Sequence, residues 1–352
     1  MNTYTVKAFG TASREADLKE LTIERRELTA TDVEIGIMFC GVCHSDLHTA
    51  RNDWGGTIYP AVPGHEIIGR ITRTGSDVTK FTTGDLAAVG CIVDSCKTCN
   101  SCKQDLEQYC LNGFTGTYNG KDIHTGRHTF GGYSEKVVVK QDFVLKVPAN
   151  LDPAAAAPLL CAGVTTWSPL RHWNVSAGSK VAVVGLGGLG HMAIKLAKGL
   201  GADVTLFSRS ATKTQDALDL GADRVIISTD EAQMRSAKGT FDLIIDTVPY
   251  VHDINPYVST LGVSGTLVLV GYLGPLEPFL NTVPMIMGRK SVAGSLIGGI
   301  AETQEMLDFC GKHNIVSDIE IIKMQDINTA YERMLRSDVR YRFVIDMSSL
   351  KG

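Results

Sequence analysis

The stretch KVAVVGLGGLGHMAIKLAKGLGADVTLFSRS, residues 180–210, restricts the fold of this chain more than any other part of it. Val181 to Val184 is a short apolar run of the buried-strand kind. Gly185, Gly187 and Gly190 follow as G-x-G-x-x-G, with Gly188 and Leu189 inside the same turn. Met192, Ile194, Leu196 and Ala197 then begin a helix with an apolar face, and DVTLFS reads as a second strand. A glycine fingerprint alone is a weak signal. Here a strand precedes it and a helix follows it, which is the context a dinucleotide-binding unit requires. The glycines permit a tight turn and let backbone amides approach a pyrophosphate at the helix N-terminus. RVIIS, FDLIIDTV and GTLVLVG continue the alternation of strand and helix. The expected fold class for this half is therefore α/β, a Rossmann doubly wound parallel sheet.

The end of the second strand selects the cofactor. A site for NAD places Asp or Glu about 20 residues beyond the glycines, where it binds the ribose 2′-hydroxyl. This chain has Ser208 and Arg209 there, followed by Ser210 and Lys213. A carboxylate would repel a 2′-phosphate, whereas a guanidinium binds one through paired hydrogen bonds. The residues predict NADP(H).

CIVDSCKTCNSCKQDLEQYC, from Cys91 to Cys110, holds five of the nine cysteines. Cys96, Cys99 and Cys102 recur every third residue and Cys110 closes the set after a longer arm. Short spacers fold thiolates around one ion, and zinc accepts four of them in a closed structural site. An iron–sulfur nest shares the early spacing, but its fourth cysteine comes sooner and a proline follows it. Cys91 is out of step and sits at the end of the apolar run GDLAAVGC, so it reads as a packed or pocket thiol. A second cysteine-bearing segment, CGVCHSDLH, contains C-x-x-C, but without the helix-opening context of a redox pair. Cys43 could instead join the distant His65 and Cys161; two thiolates and one imidazole leave a position open for water or substrate. Spacing cannot establish that grouping, because the ligands are far apart in the chain.

The remaining bounds are negative. At 352 residues the chain is long enough for two domains. Its net charge of −4, without a basic run, argues against a nucleic-acid partner. Gly, Pro and charge break every apolar run well short of the roughly 18 residues a membrane span needs. MNTYTVKAFG has neither an apolar core nor a cleavage site, so a secretory signal is not expected. The expected compartment is the cytosol, where thiols stay reduced and clustered cysteines bind metal rather than pair.

GVCHSDLH, VPGHEIIG, CKTCNSCKQDLEQYC, LLCAGVTTWSPLRHW and VVGLGGLGHMAIKLAK occur in this order. Together they resemble the zinc-dependent medium-chain alcohol dehydrogenases, over essentially the whole chain. The branch they resemble is that of the cinnamyl alcohol dehydrogenases and the bacterial broad-specificity NADPH aldehyde reductases. The resemblance implies that Cys43, His65 and Cys161 hold a catalytic zinc, with the Glu66 carboxylate able to approach it. It implies that Cys96, Cys99, Cys102 and Cys110 hold a structural zinc, giving two zinc ions per chain. Ser45 matches the hydroxyl that bonds the reacting oxygen, and His48 the imidazole at the solvent end of a proton relay. Asp46 matches a carboxylate that orients the site. Ser45, Thr165, Thr247, Gly271 and Ser295 match cofactor-contacting positions.

The implied architecture is a β-rich GroES-like catalytic domain over residues 1–154 and 292–352, with the Rossmann domain, 155–291, inserted between. The active site is expected in the cleft between domains. The implied activity is reversible hydride transfer between NADPH and aliphatic or aromatic aldehydes, in a homodimer, with SLIGG supplying an edge strand. Trp54, Cys91, Thr115 and Leu296 are the expected pocket residues. Thr115 stands where plant cinnamyl alcohol dehydrogenases carry Trp, and Leu296 where Phe is usual, so a lignin-precursor substrate is not implied. Two other readings compete with this one. An NAD-linked polyol dehydrogenase is disfavoured by Ser208-Arg209, and a non-catalytic nucleotide- and zinc-binding protein by the intact ligand positions.

Overall fold

A computed structural model describes residues 2–271 and 274–350. The described residues form two compact units, one running up to Cys161 and resuming at Gly298, the other spanning Ala162–Ile297.

In the second unit six strands pair in parallel throughout. Their spatial order is Arg224–Ile227, Asp203–Ser208, Lys180–Val184, Phe241–Asp246, Leu261–Leu269 and Ser291–Gly294. Numbered along the chain this order is 3-2-1-4-5-6, the doubly wound Rossmann arrangement. Covered on both faces, the central strands read as continuous apolar runs rather than alternating ones; Val181, Val183, Leu206, Ile244 and Ile245 are all fully buried. Helix Gly190–Gly199 buries Met192, Ala193, Ile194, Leu196 and Ala197, the face that the sequence pattern predicts. The strand order reverses between Lys180–Val184 and Phe241–Asp246, and in such sheets the crevice beyond the strand ends at that reversal takes the ligand. Gly185 and Thr247 are the residues that follow those two ends.

The first unit is built on the long strand Asp32–Gly41. Val33, Ile35, Ile37 and Cys40 bury on it almost completely. Antiparallel to it run Ile67–Thr74, Lys136–Lys140 and Arg342–Asp346. Leu86–Val89 and Leu145–Lys146 extend the sheet on one side, and Ile319–Lys323, parallel to Arg342–Asp346, closes the other. Two strands from the C-terminal stretch thus complete a sheet begun by the N-terminal one. Thr3–Gly10 and Lys19–Arg26 form a separate antiparallel pair, as do Ile92–Asp94 and Thr115–Gly116.

The units meet at Cys161/Ala162 and Ile297/Gly298, several residues beyond the sequence-based crossings at 154/155 and 291/292. The cause is packing. Helix Pro153–Ala156 and the turn Ala157–Leu160 lie on the strands of the first unit, and Ser291–Gly294 is a full member of the second sheet. No helix among the described residues is long and apolar enough to cross a membrane.

Candidate active site

All nine cysteines are free thiols. Around the sequence-predicted cluster, Sγ of Cys96 and Cys102 are 3.9 Å apart, and those of Cys99 and Cys110 are 4.0 Å apart. A disulfide would need about 2 Å. Four thiolates about 2.3 Å from a tetrahedral zinc stand about 3.8 Å from one another, so the cage has the right size. Two features build it locally. Lys97 and Asp105 take left-handed conformations, φ 57° and 59°, which turn the loop back on itself. Backbone amides also point at sulfur: Cys99 N lies 3.4 Å from Cys96 Sγ, and Leu111 N 3.4 Å from Cys99 Sγ. The amides of Thr98 and Cys99 hold the Cys96 thiol down at about 5, in the range of a metal-ready thiolate.

A second group unites Cys43, His65, Glu66 and Cys161, whose donor atoms all lie within 4.8 Å of one another. The fold assembles it from three places. Cys43 caps helix His44–Ala50. His65 and Glu66 immediately precede strand Ile67–Thr74, and Cys161 ends the turn Ala157–Leu160. Cys43 Sγ and Cys161 Sγ are 3.9 Å apart. The hydrogen bond from the Cys161 thiol holds Cys43 well below the ordinary thiol value, against the effect of burial. His65 Nδ1 lies 3.0 Å from Asp46 Oδ1, which leaves its Nε2 lone pair for the group. Glu66 is fully buried; Oε1 takes a 2.5 Å bond from Arg342, while Oε2 has no hydrogen-bond partner. Burial pushes the Glu66 carboxyl up to about 8 against the pull of Arg342. A buried carboxylate oxygen without a donor is costly, and a cation at the centre of this group would satisfy it. The two thiols, imidazole and carboxylate therefore fit a zinc ion. Only a glycine fits behind them, because a Cβ on Gly41 would come within 1.9 Å of Glu66 Oε2.

Helix His44–Ala50 also carries Ser45, Asp46 and His48. Ser45 Oγ lies 3.6 Å from Cys43 Sγ. His48 Nδ1 lies 2.8 Å from Asp53, and its ring centroid is 5.1 Å from that of Trp54.

In the second unit the glycine turn has the geometry its spacing predicts. Gly185 has φ 88°, and a Cβ on Gly190 would come within 2.1 Å of Gly185 O, so only glycine allows helix and strand to approach this closely. A Cβ on Gly187 would meet nothing within 4 Å, which leaves that face of the turn open. Gly188 and Leu189 complete the turn, with Leu189 at the N-cap. Thr247 Oγ1 donates to Val184 O at 2.8 Å. Ser208 ends the neighbouring strand and bonds Ser210 O at 2.8 Å. The Arg209 guanidinium lies 5.8 Å from the Tyr250 ring centroid, and Lys213 Nζ bonds Leu186 O at 2.9 Å, inside the glycine turn. Ser295 N bonds Leu269 O; Gly271 fits against Val248 O, and Thr165 is buried in helix Ala162–His172.

Residues 29–149 match the family described as alcohol dehydrogenase GroES-like domain, and residues 188–312 match the zinc-binding dehydrogenases. Aldehyde reductase YahK of Escherichia coli is 51% identical over 346 residues, covering 98% of this chain and 99% of that protein. The chain belongs to the zinc-binding alcohol dehydrogenases. It is an oxidoreductase of the cinnamyl alcohol dehydrogenase branch. The solved cinnamyl alcohol dehydrogenase SbCAD4 of Sorghum bicolor superposes with a TM-score of 0.94 at 46% identity, covering 98% of each chain. The enzyme from Helicobacter pylori, solved in complex with NADP(H), gives 0.91 at 42% identity, covering 99% of each chain.

The four expected pocket residues sit on different elements. Cys91 lies beyond strand Leu86–Val89, not within it, with Sγ 3.8 Å from Leu160 O, beside Cys161. Trp54 is half exposed beside His48, and Leu296, in the second unit, is 47% exposed. Thr115 is nearly buried, and its hydroxyl donates to Lys121 O at 3.2 Å. It lines a cavity walled by Thr22–Arg26, Val137–Lys140 and the loop from Asp122 to Phe130, to which none of Cys43, His65, Glu66 and Cys161 contributes. Arg342, the partner of Glu66, was not among the sequence candidates. It sits 276 residues away from Glu66, and nothing local marks it. The Asp53 carboxylate, in the turn that follows the helix, is the partner of His48.

Proposed function

We propose that this dehydrogenase is an NADP(H)-dependent aldehyde reductase, catalysing reversible hydride transfer between NADPH and aliphatic and aromatic aldehydes. Cys43, His65 and Cys161 would hold the catalytic zinc, with Glu66 as a further donor; Cys96, Cys99, Cys102 and Cys110 would hold the structural one. The observation that carries the reading is the donor set itself: two sulfurs at 3.9 Å, a tautomer-fixed imidazole and an unpartnered buried carboxylate oxygen in one place. Zinc in that set supplies a Lewis acid for a carbonyl oxygen, and NADPH supplies the hydride. The chain's own residues manage the proton. Ser45 Oγ, next to Cys43, is placed to give its proton to a substrate oxygen. His48, one turn further along the helix, restores it from solvent, with Asp53 fixing the ring. NADPH is favoured over NADH by Ser208 and Arg209 at the end of the second strand, and the Helicobacter pylori relative was solved with NADP(H).

The same reading takes the enzyme to the cytoplasm, where nine free thiols persist. It also makes it a homodimer. The edge strand of its sheet is Ser291–Gly294, and SLIGG, expected to supply it, follows directly as non-strand chain; an unpaired edge invites a second copy. Phe279, Ile286 and Met287 in the same unit are 92%, 77% and 82% exposed, more apolar surface than a monomer keeps without reason.

The test is absorbance at 340 nm with a panel of aldehydes, NADPH against NADH, before and after zinc chelation. Chelator-sensitive oxidation of NADPH with NADH much poorer supports the proposal. No oxidation with either cofactor, in protein holding two zinc ions per chain, defeats it.

A further inference from the structure

Asp46 is fully buried, and its carboxylate is a hub of four hydrogen bonds. Oδ1 accepts from Gly64 N and pairs with His65 Nδ1, both at 3.0 Å. Oδ2 accepts from Cys43 N at 2.8 Å and from the Tyr133 hydroxyl at 3.2 Å. A carboxylate has about four acceptor positions, so this one is saturated. It cannot rotate without breaking a bond to a buried donor. That fixes His65 as the Nδ1–H tautomer and fixes the direction of its Nε2.

Tyr133 is the only one of the four donors that is neither a metal-site residue nor the backbone beside one. It comes from a segment more than 60 residues further along the chain, and the fold goes to some length to place it. The amides of Gly131, Gly132 and Tyr133 bond the carbonyls of Val62, Gly64 and Pro63 at 2.7, 2.8 and 3.0 Å. The Gly-Gly-Tyr segment therefore splints the residues that lead directly into His65. The ring lies close enough to Gly64 that a Cβ there would come within 2.7 Å of its Cδ1. Behind the splint is Arg25, 8% exposed and paired with no carboxylate among the described residues. Its Nη atoms donate to Phe130 O, Gly131 O and Ser134 Oγ at 2.8, 2.9 and 2.8 Å. A guanidinium buried without a counter-ion is expensive, and here it does one thing: it grips the splint. Burial, and then the charge of Asp46, push the Tyr133 phenol well above its ordinary value, so it stays a donor.

We propose that Tyr133 is a positioning residue of the Cys43–His65–Cys161 metal site, acting through Asp46, and that Arg25 holds its segment in place. The inference rests on the reading that this group holds zinc. Removing the phenol leaves Oδ2 with Cys43 N as its one donor and loosens the carboxylate that orients His65. Outer partners of metal ligands are worth about 10–100-fold in metal affinity.

The experiment is zinc release from the full-length, zinc-loaded protein to a colorimetric chelator, with the cobalt-substituted protein's visible spectrum as a second readout. Wild type should hold two zinc ions per chain and release them in two phases. Tyr133→Phe keeps the ring and removes only the hydroxyl. It should speed one phase by about tenfold, leave the four-cysteine phase unchanged and alter the cobalt spectrum. Arg25→Lys, which keeps the charge and loses the fork, should move the same phase in the same direction. Unchanged release in both variants would overturn the proposal. So would equal acceleration of both phases with a lower unfolding midpoint, which is a purely structural effect. A wild-type protein holding zinc only in the four-cysteine cage would sink the functional reading itself and the proposal with it.

Discussion

His48 Nδ1 and Asp53 Oδ2 stand 2.8 Å apart at the exposed end of the helix that Cys43 caps. The carboxylate accepts from the ring, so the opposite nitrogen is left to exchange a proton with solvent or with the chain toward Ser45. His48→Ala should lower kcat for aldehyde reduction by about 100-fold, the lower end for a general acid–base group, with KM little changed. Asp53→Asn keeps a polar partner and should cost less. Steady-state rates with saturating NADPH decide it, and an unaltered His48→Ala enzyme removes His48 from the relay.

Arg209 should decide between the two nicotinamide cofactors. Its guanidinium is positioned over the Tyr250 ring, and among the described residues no carboxylate pairs with it at the strand end, where Ser208 stands instead. Charge-assisted hydrogen bonds are worth about 1.5–3 kcal/mol. Arg209→Ala should therefore lower kcat/KM for NADPH by about 10–100-fold while leaving NADH nearly unchanged, and Ser208→Asp should raise the relative preference for NADH. Parallel losses with both cofactors would show that Arg209 supports the fold and not the 2′-phosphate.

These sites differ in how legible they were in the chain. The four-cysteine cage and the glycine turn are local, so spacing dictates their geometry, and the alternation of strand and helix implies the parallel doubly wound sheet, whose order 3-2-1-4-5-6 only the structure gives. The group at Cys43 is not local. Cys43, His65 and Cys161 are brought together by a helix cap, a strand entry and a turn, and only the resemblance to a family links them in sequence. Tyr133, Arg25 and Arg342 carry no signal at all, because each acts through a partner tens to hundreds of residues away. Asp53 is both a solvated loop carboxylate and the partner of His48, five residues from it in the chain.

The Cys-rich lobe should also brace the return of the chain into the first unit. Glu107, between Cys102 and Cys110, accepts from Ile300 N at 3.0 Å at the start of helix Ile300–His313. The preceding Gly299 packs so closely that a Cβ would come within 1.9 Å of Asp105 O. Loss of a helix-capping side chain costs about 1 kcal/mol, so Glu107→Ala should lower stability by that order in urea unfolding. Gly299→Ala, which forces backbone apart, should cost more, about 1–3 kcal/mol. If Gly299→Ala unfolds at the wild-type midpoint, the lobe and the helix are not braced in this way.

His252 should make the stability of the dehydrogenase depend on pH. Its Nε2 lies 2.9 Å from the buried Asp246 carboxylate and its Nδ1 2.8 Å from Tyr250 O. Both ring nitrogens face acceptors, and only the imidazolium satisfies both. The Asp246 hydrogen bond, opposed by burial and helped by Tyr250 O, raises the imidazole above its ordinary value. A group whose folded pKa is raised binds its proton more tightly in the native state. Its stabilisation is therefore complete below the ordinary histidine value of about 6.5 and fades as pH climbs through the raised folded value. The difference in unfolding free energy between wild type and His252→Gln should be largest near pH 6 and should shrink at alkaline pH. Urea titrations of both proteins across that range measure it, and a gap of constant size at every pH would mean that His252 is held neutral beside Asp246.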